Sequence, residues 1–287
     1  MHRNYFKLII KLIKKYFDDD ILAFSSQLAY NFLLSCFPFL IFIVTLINNM
    51  GLQSDLFYHA LKKILPNNAY TLVYNTLETV VYEKHTTLMS ITIVLTIWTA
   101  SIGFSGVIKG INRAYDVKEN RSFWRLQVIN ITYTLIFAFS IIFTMIVLIY
   151  GSIENKAIIR RTGYDAFFSV LWRIIEYGIL GLFLVAIFAC LYRYAPCIRL
   201  PWKNVLPGAI FTVATWLGSS VGFSYYANNY AKYADLYGGI AAIIVLMTWF
   251  FVASNIILIG GEINGALYSD IYTVCKVSEI STLEKRK

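Results

Sequence analysis

Four residues at helical spacing form the first candidate site in the chain: Gln27, Asn31, Ser35 and Pro38. They lie in a long apolar segment, and steps of four, four and three residues place them on one face of an α-helix. Pro38 also removes a backbone donor and bends a helix, which leaves carbonyl groups free on that face. Polar groups inside a membrane are costly and often serve a function, so this face predicts a polar cavity. Hydrogen bonding between helices is the alternative, and the sequence does not decide between the two.

The second candidate site lies at the end of the last apolar segment, in the run Gly260-Gly261-Glu262-Ile263-Asn264-Gly265. Glu262 is close to the boundary of that segment, and Asn255 lies deeper in it. A buried carboxylate requires a cation, water or a proton. Arg113 and Arg193 stand at the ends of other apolar segments and are the predicted partners. A structural ion pair and a proton-coupled role both remain open for Glu262.

The other reactive residue types form no catalytic or metal-binding pattern. The histidines are far apart, the cysteines form no CxxC pair, and the sequence contains no nucleophile triad or glycine-rich phosphate loop. The residues concerned are His2, His59, His85, Cys36, Cys190, Cys197 and Cys275. We therefore expect no catalytic residue, no metal and no cofactor, and we do not expect an enzyme.

The elements that must position these residues follow from composition. Hydrophobic residues make up 58% of the 287 residues and charged residues 14%, whereas soluble domains have about 25% charged residues. Continuous apolar runs of about 20 residues predict transmembrane helices rather than strands. These runs are 28–48, 88–108, 129–151, 174–193, 205–226 and 239–261. The sequence therefore predicts an all-α, polytopic membrane protein with six transmembrane helices.

Small residues at a spacing of four predict where these helices approach one another. The pattern occurs at Gly106/Gly110, Gly218/Gly222 and Gly261/Gly265. A glycine every fourth residue on one helix face lets two backbones come close together. These pairs therefore permit close helix contacts, and they carry no information about a substrate.

The distribution of basic residues predicts the orientation. Most of the 25 lysine and arginine residues lie in the amino-terminal tail, in the connections after the second and fourth runs, and in the carboxyl-terminal tail. We expect the chain to lie in the cytoplasmic membrane. Basic residues favour the cytoplasmic side, so both termini should be cytoplasmic. The net charge of +9 is thus a topology signal. Nucleic-acid binding would require a contiguous basic face, and the sequence does not contain one.

Two segments outside the apolar runs are amphipathic. Residues 1–20 carry an apolar face and a lysine face, which predicts a helix lying on an anionic membrane surface; the apolar face is Phe6, Ile9, Ile10, Ile13 and Phe17. Residues 51–87 contain two such stretches around Pro66-Asn67-Asn68, which predicts an extracytoplasmic helical hairpin. The predicted domains are an interfacial helix at 1–20, a transmembrane domain at 21–270 and a cytoplasmic tail at 271–287.

Several motifs together resemble the BrkB/YihY family of bacterial inner-membrane proteins, formerly labelled ribonuclease BN-like. They are Leu28-Ala29-Tyr30 with Leu34-Ser35 and Pro38; Asn112, Tyr115 and Arg121; Tyr192-Arg193 with Pro196, Pro207-Gly208-Ala209 and Trp216; and Tyr237-Gly238, Trp249 and Gly261-Glu262-Ile263-Asn264. The chain has Gly260-Gly261-Glu262 where the family often shows Gly-Ala-Glu. The resemblance adds Asn112, Arg121 and Asn264 to the candidate site residues. It implies a six-span helical protein of the bacterial cytoplasmic membrane but no defined activity, since members carry names that suggest a virulence factor, a ribonuclease or a transporter.

Two functions follow from these observations. The first is a transporter or flippase-like protein for a lipid-derived or amphipathic substrate, and the alternative is a non-transporting scaffold that binds a partner at the membrane. A transporter should expose the Gln27–Asn31–Ser35 face and Glu262 to a cavity, whereas a scaffold should bury them between helices. The expected partners are membrane lipids and no nucleic acid. Self-association is left open, and the sequence identifies no protein partner.

Overall fold

A computed structural model of the chain describes residues 5–49, 86–162, 165–229 and 239–284, together with positions 62, 70–71 and 74–75. These ranges form long helices, and the described residues contain no strand. The helices are α1 (Tyr5–Asp18), α2 (Ile21–Asn49), α3 (Thr86–Ala114), α4 (Phe123–Thr162), α5 (Asp165–Tyr194), α6 (Trp202–Asn229) and α7 (Gly239–Glu284). The prediction of an all-α protein is confirmed.

Helices α2 to α7 form a ring. Each packs against the next along the chain, and α7 closes the ring against α2 while also contacting α3. Fully buried apolar side chains fill the interior, among them Leu28 of α2, Ile108 and Ile111 of α3, and Leu258 of α7. The position of α7 matters for function, because it places Glu262 where α3 and α1 can both reach it.

Within the described residues, four helical stretches are long and apolar enough to cross a membrane: Phe123–Thr144, Tyr177–Tyr194, Trp202–Tyr226 and Ile243–Tyr268. Their outward side chains are apolar and exposed, as a lipid environment requires; Leu182 is 73% exposed and Val221 74%. Helices α2 and α3 have 29 residues each. Some of their side chains are not described, so these two helices are not assigned as spans. The chain is therefore a multi-pass membrane protein, and the count of six spans stays a prediction.

Two of the three predicted glycine contacts are present. A Cβ atom at Gly106 or Gly110 would collide with Leu28 or Leu258, and one at Gly265 would collide with the Ala114 carbonyl. The pairs Gly106/Gly110 and Gly261/Gly265 thus let α3 approach α2 and α7. The third contact is absent among the described residues, since a Cβ atom at Gly218 or Gly222 would meet nothing within 4 Å.

The turn after α1 sets the position of the amino-terminal helix. Asp20 adopts a left-handed conformation with φ of 52°, which aspartate tolerates better than most residues. The Asp20 amide donates to the Phe17 carbonyl at 3.2 Å, and the Phe24 amide to the Asp20 carbonyl at 3.0 Å. One helix therefore ends and the next begins within two residues, so α1 folds back onto α7 and α2.

The orientation of α1 differs in one respect from the two-faced helix predicted for residues 1–20. Ile10, Ile13 and Phe17 are largely exposed, as an apolar lipid-facing stripe would be. Lys15, however, points into the bundle and its side chain is only 15% exposed, because it pairs with Glu262 on α7 and with Asp19 and Asp116 in the turns after α1 and α3. The interfacial location of α1 stays a prediction, as do the domain limits. The predicted hairpin at 51–87 lies almost wholly outside the described residues.

Candidate functional site

Glu262 pairs with Lys15, and the predicted pairing with Arg113 or Arg193 is wrong. Nζ of Lys15 lies 3.1 Å from Oε2 of Glu262, whose side chain is 2% exposed. The sharp turn after α1 accounts for this pairing, because it brings a residue 247 positions away in the chain onto α7. Arg113 instead pairs with Asp19 at 3.2 Å. Arg193 donates to the Leu200 carbonyl at 2.6 Å and stacks on Trp202.

Lys15 is the centre of a charged group that we call the Lys15 cluster: Lys15, Asp19, Arg113, Asp116 and Glu262. Nζ of Lys15 lies 3.4 Å from Asp19, 3.3 Å from Asp116 and 2.8 Å from the Ala114 carbonyl. Burial lowers the pKa of Lys15, but the carboxylates of Glu262, Asp116 and Asp19 outweigh burial and raise it above the usual value. Lys15 is therefore a firmly charged ammonium that ties α1 to α3 and α7.

A cleft of about 320 Å³ lies between α1 and α7 beside this cluster. The described residues that line it are Leu12, Ile13, Tyr16, Phe17, Ile259 and Glu262. Among these, Glu262 alone is charged and most of the others are apolar. Ile13 is 55% exposed and Phe17 70%, so the cleft is accessible from outside the bundle. The Tyr16 hydroxyl donates to Oδ1 of Asn255 at 3.2 Å, which gives the predicted site residue Asn255 a place behind the cleft wall.

One carboxylate oxygen of Glu262 remains unpartnered. Oε2 accepts from Lys15, whereas Oε1 is buried and has no hydrogen-bond partner among the described residues. A buried polar atom without a partner costs free energy, and most such atoms in folded proteins are paired. Glu262 thus lines the cleft and carries a buried acceptor oxygen that lacks a donor among the described residues.

The Gln27–Asn31–Ser35 face divides between a helix contact and the exterior. A Cβ atom at Gly103 would lie 3.1 Å from Oγ of Ser35, and one at Gly106 would lie 3.2 Å from Nδ2 of Asn31. Both side chains thus pack against α3, and the Ser35 hydroxyl donates to the Asn31 carbonyl at 2.7 Å. Gln27 is exposed and Pro38 is half-buried in α2. For Asn31 and Ser35 this placement favours the helix-packing alternative.

Asn112 and Arg121 come together in a second polar group, the Glu119 clamp, which consists of Asn112, Glu119, Arg121 and Cys197. Two guanidinium nitrogens of Arg121 lie 2.7 Å from the two Glu119 oxygens. Asn112 donates to Glu119 at 2.9 Å and accepts from the Cys197 amide at 2.8 Å. The hydrogen bonds from Arg121 hold the pKa of Glu119 down at about 2. The clamp joins the connection after α3 to the connection after α5.

Asn264 ties α7 to α6. Its Oδ1 accepts from the Gly208 amide at 2.8 Å, and Asn264 is fully buried. The two backbones are very close there, because a Cβ atom at Gly208 would collide with the Gly260 carbonyl. Two turns earlier in α7, the Ile257 carbonyl accepts from the Tyr192 hydroxyl of α5 at 2.7 Å. These contacts give Asn264 a structural role between two membrane-spanning helices.

Sequence reasoning missed Lys15, Asp19 and Asp116, which complete the surroundings of Glu262. One signal could have found Lys15 and Asp19, though not Asp116: an acidic run at 18–20 follows a basic helix directly, and such a run can pair with lysines of the preceding turn. In the part of the chain that the structure describes, no group of three His, Cys, Asp or Glu residues could hold a metal ion. The histidines lie outside that part, so the expectation about catalysis stays a prediction.

Comparisons with known proteins agree with these features. The family model described as virulence factor BrkB matches residues 12–274. The ribonuclease-like protein YfkH of Bacillus subtilis is 35% identical over 244 residues, which cover 85% of this chain and 89% of YfkH. A UPF0761 membrane protein of Acinetobacter baylyi is 25% identical over 280 residues, 92% of this chain and 63% of that protein.

A UPF0761 membrane protein of Vibrio cholerae is 26% identical over 171 residues, which cover 57% of this chain and 53% of that protein. No solved structure gave a significant match. The family match extends from α1 into the last turns of α7, so it includes both polar groups described above. The chain therefore belongs to the virulence factor BrkB family of membrane proteins.

Proposed function

We propose that this protein is a transporter or flippase-like protein for a lipid-derived or amphipathic substrate, which it binds in the cleft between α1 and α7. The observation that carries the proposal is the buried Lys15–Glu262 pair at the end of an apolar cleft that is accessible from outside. Ligand sites in proteins are concave and mostly apolar, with a few polar groups that orient the ligand. This cleft has that composition.

The cleft matches the two parts of an amphipathic molecule. Leu12, Ile13 and Ile259 provide apolar surface for an acyl chain, and Glu262 provides a charged contact for a head group. Glu262 lies six residues before Tyr268, the end of the last apolar span, which is about 9 Å along a helix. A head group bound there would remain near the membrane boundary.

Movement of a head group past this point requires the Lys15–Glu262 pair to open. The pair links α1 to α7, as the Tyr16–Asn255 hydrogen bond also does, and α1 is joined to α2 by only a two-residue turn. A charged head group can replace one member of the pair, so the bundle need not expose an uncompensated charge while α1 moves. In this mechanism α1 acts as the moving wall of the cleft.

The alternative is a non-transporting scaffold, and a specific observation favours it. Asn31 and Ser35 pack between α2 and α3, and Asn264 bonds to the α6 backbone. Polar side chains that hold helices together make a rigid bundle, which a scaffold needs and a transporter needs less. The two proposals differ in what happens when the cleft is filled, since a rigid scaffold does not use it.

A cleft-filling variant tests the proposal. Ile13→Trp places a large ring in the cleft, whereas Ile10→Trp adds the same ring on α1 outside it; the two isoleucines are 55% and 50% exposed. Fluorescent phospholipid analogues should cross vesicle membranes faster with the purified wild-type protein than without it. Ile13→Trp should abolish this acceleration and Ile10→Trp should retain it. Equal rates for both variants and wild type, or no acceleration by wild type, would support the scaffold instead.

A further inference from the structure

The free oxygen of Glu262 suggests which head group the cleft accepts. We propose that the cleft binds an amphipathic molecule whose head group carries a primary amine, with the amine donating to Oε1 of Glu262. This inference rests on the proposed function, because it concerns the same cleft. Its chemical class is that of an aminophospholipid, as opposed to a phospholipid with a quaternary amine or a purely anionic head group.

No group described near Glu262 can donate the hydrogen bond that Oε1 lacks. A lysine ammonium has three hydrogens. Nζ of Lys15 already lies within 3.4 Å of four acceptors: Ala114 O, Asp19, Asp116 and Oε2 of Glu262. Tyr16, the polar neighbour in the cleft wall, donates its hydroxyl hydrogen to Asn255. Among the described residues no donor is left for Oε1, and Glu262 lines the cleft, so the proposed ligand supplies that donor from the cleft.

The charge of the Lys15 cluster also favours an amine. Its contacts join two cations, Lys15 and Arg113, to three carboxylates, Asp19, Asp116 and Glu262. With all five groups ionised, these ion pairs among the described residues leave one excess negative charge. Asp116 is 68% exposed and can be solvated by water, whereas Glu262 is 2% exposed and borders the cleft. A cationic donor in the cleft balances this charge where water does not, and an anionic head group would add to it.

The apolar wall of the cleft favours an aminolipid over a small soluble amine. The cleft wall next to Glu262 is formed by Leu12, Ile13, Phe17 and Ile259. Burying an acyl chain against such residues contributes about 0.8 kcal/mol for each methylene group. A soluble amine such as ethanolamine gains nothing from these walls. The geometry therefore points to a molecule that joins the amine to an apolar tail.

Binding by the full chain, measured by native mass spectrometry from detergent, tests the inference. The probes are phosphatidylethanolamine and phosphatidylcholine with identical acyl chains, since the second lipid keeps the positive charge but has no N–H donor. One site should prefer phosphatidylethanolamine by about tenfold, the usual effect of a hydrogen bond to a charged group. Glu262→Gln should reduce this preference to less than about twofold, because it removes the charge that strengthens the bond.

Matched variants separate the cleft from other lipid contacts. Ile13→Trp should remove the preferred site for both lipids, and Ile10→Trp should leave it unchanged. Soluble ethanolamine at millimolar concentration should not displace the lipid; displacement would mean that the amine alone is the ligand and would overturn the lipid assignment. Equal binding of the two lipids, or a preference that survives Glu262→Gln, would overturn the assignment of the amine to Oε1.

The same experiments distinguish failure of the amine inference from failure of the transport proposal. If Glu262-dependent lipid movement occurs but the two head groups bind equally, the amine inference fails and the transport proposal stands. If the amine preference depends on Glu262 but no lipid moves, the inference stands as a binding site and the transport proposal fails.

Discussion

Lys15 and Glu262 should respond very differently to neutralisation, although they are partners in one ion pair. Lys15→Met leaves Arg113 to face three carboxylates, of which Glu262 is 2% exposed and then has no cation. Removing one partner of a buried pair costs about 3–5 kcal/mol, because the remaining charge stays buried. Glu262→Gln instead leaves two cations with two carboxylates, and Lys15 keeps Asp19, Asp116 and the Ala114 carbonyl. We expect a loss within about 1 kcal/mol for Glu262→Gln.

Thermal unfolding in detergent measures this difference. For a chain of this size, a loss of about 3–5 kcal/mol corresponds to a fall in Tm of about 10 °C. Lys15→Met should show that fall, and Glu262→Gln should stay close to wild type. The double variant should regain most of the loss, because Asp19 keeps Arg113 at 3.2 Å and Asp116 is largely exposed. Equal losses in the two single variants, or a double variant as unstable as Lys15→Met, would refute the charge count on which the cleft argument depends.

Three further predictions concern the rest of the bundle. The pKa of Glu119 is lowered from 4.5 to about 2. Its contribution to stability is therefore present above about pH 4.5 and is lost as the pH falls towards 2. Between pH 6 and pH 3, the Tm of wild type should fall further than the Tm of Glu119→Gln. Gly260→Ala should destabilise strongly, because its Cβ would collide with Thr212, whereas Gly218→Ala should have little effect on Tm. A cysteine at Asn120 should react with impermeant maleimide only from the cytoplasmic side and one at Asn67 only from outside, and the reverse result would overturn the predicted orientation.

The sequence was sufficient for the features that depend on local pattern. Continuous apolar runs predicted the helices, because a helix satisfies its own backbone hydrogen bonds wherever it packs. The same reasoning identified Glu262 and Asn264 as exceptional, since polar residues near an apolar span need partners. Two glycine contacts were also found from spacing alone.

The partners of Glu262 depended on features that spacing does not contain. Lys15 reaches α7 only because Asp20 adopts a left-handed conformation and reverses the chain. The lysine periodicity of residues 1–20 predicts a face towards solvent or lipid head groups. It cannot indicate that Lys15 turns inward to Asp116 and Glu262, which are distant in the sequence. The position of Arg113 made it a reasonable candidate for the partner of Glu262, but it pairs instead with Asp19 in the turn after α1. Long-range pairing of this kind is determined by tertiary packing.

The most direct test of the central claim is the rate of aminophospholipid movement across vesicles that contain Glu262→Gln, compared with wild type at equal protein content. Glu262→Gln is the suitable variant because the charge count expects its fold to survive, so that a change in rate reports on the cleft. We predict that the protein-dependent rate falls to the level of empty vesicles while Tm stays within a few degrees of wild type. An unchanged rate in a stable Glu262→Gln protein would contradict it.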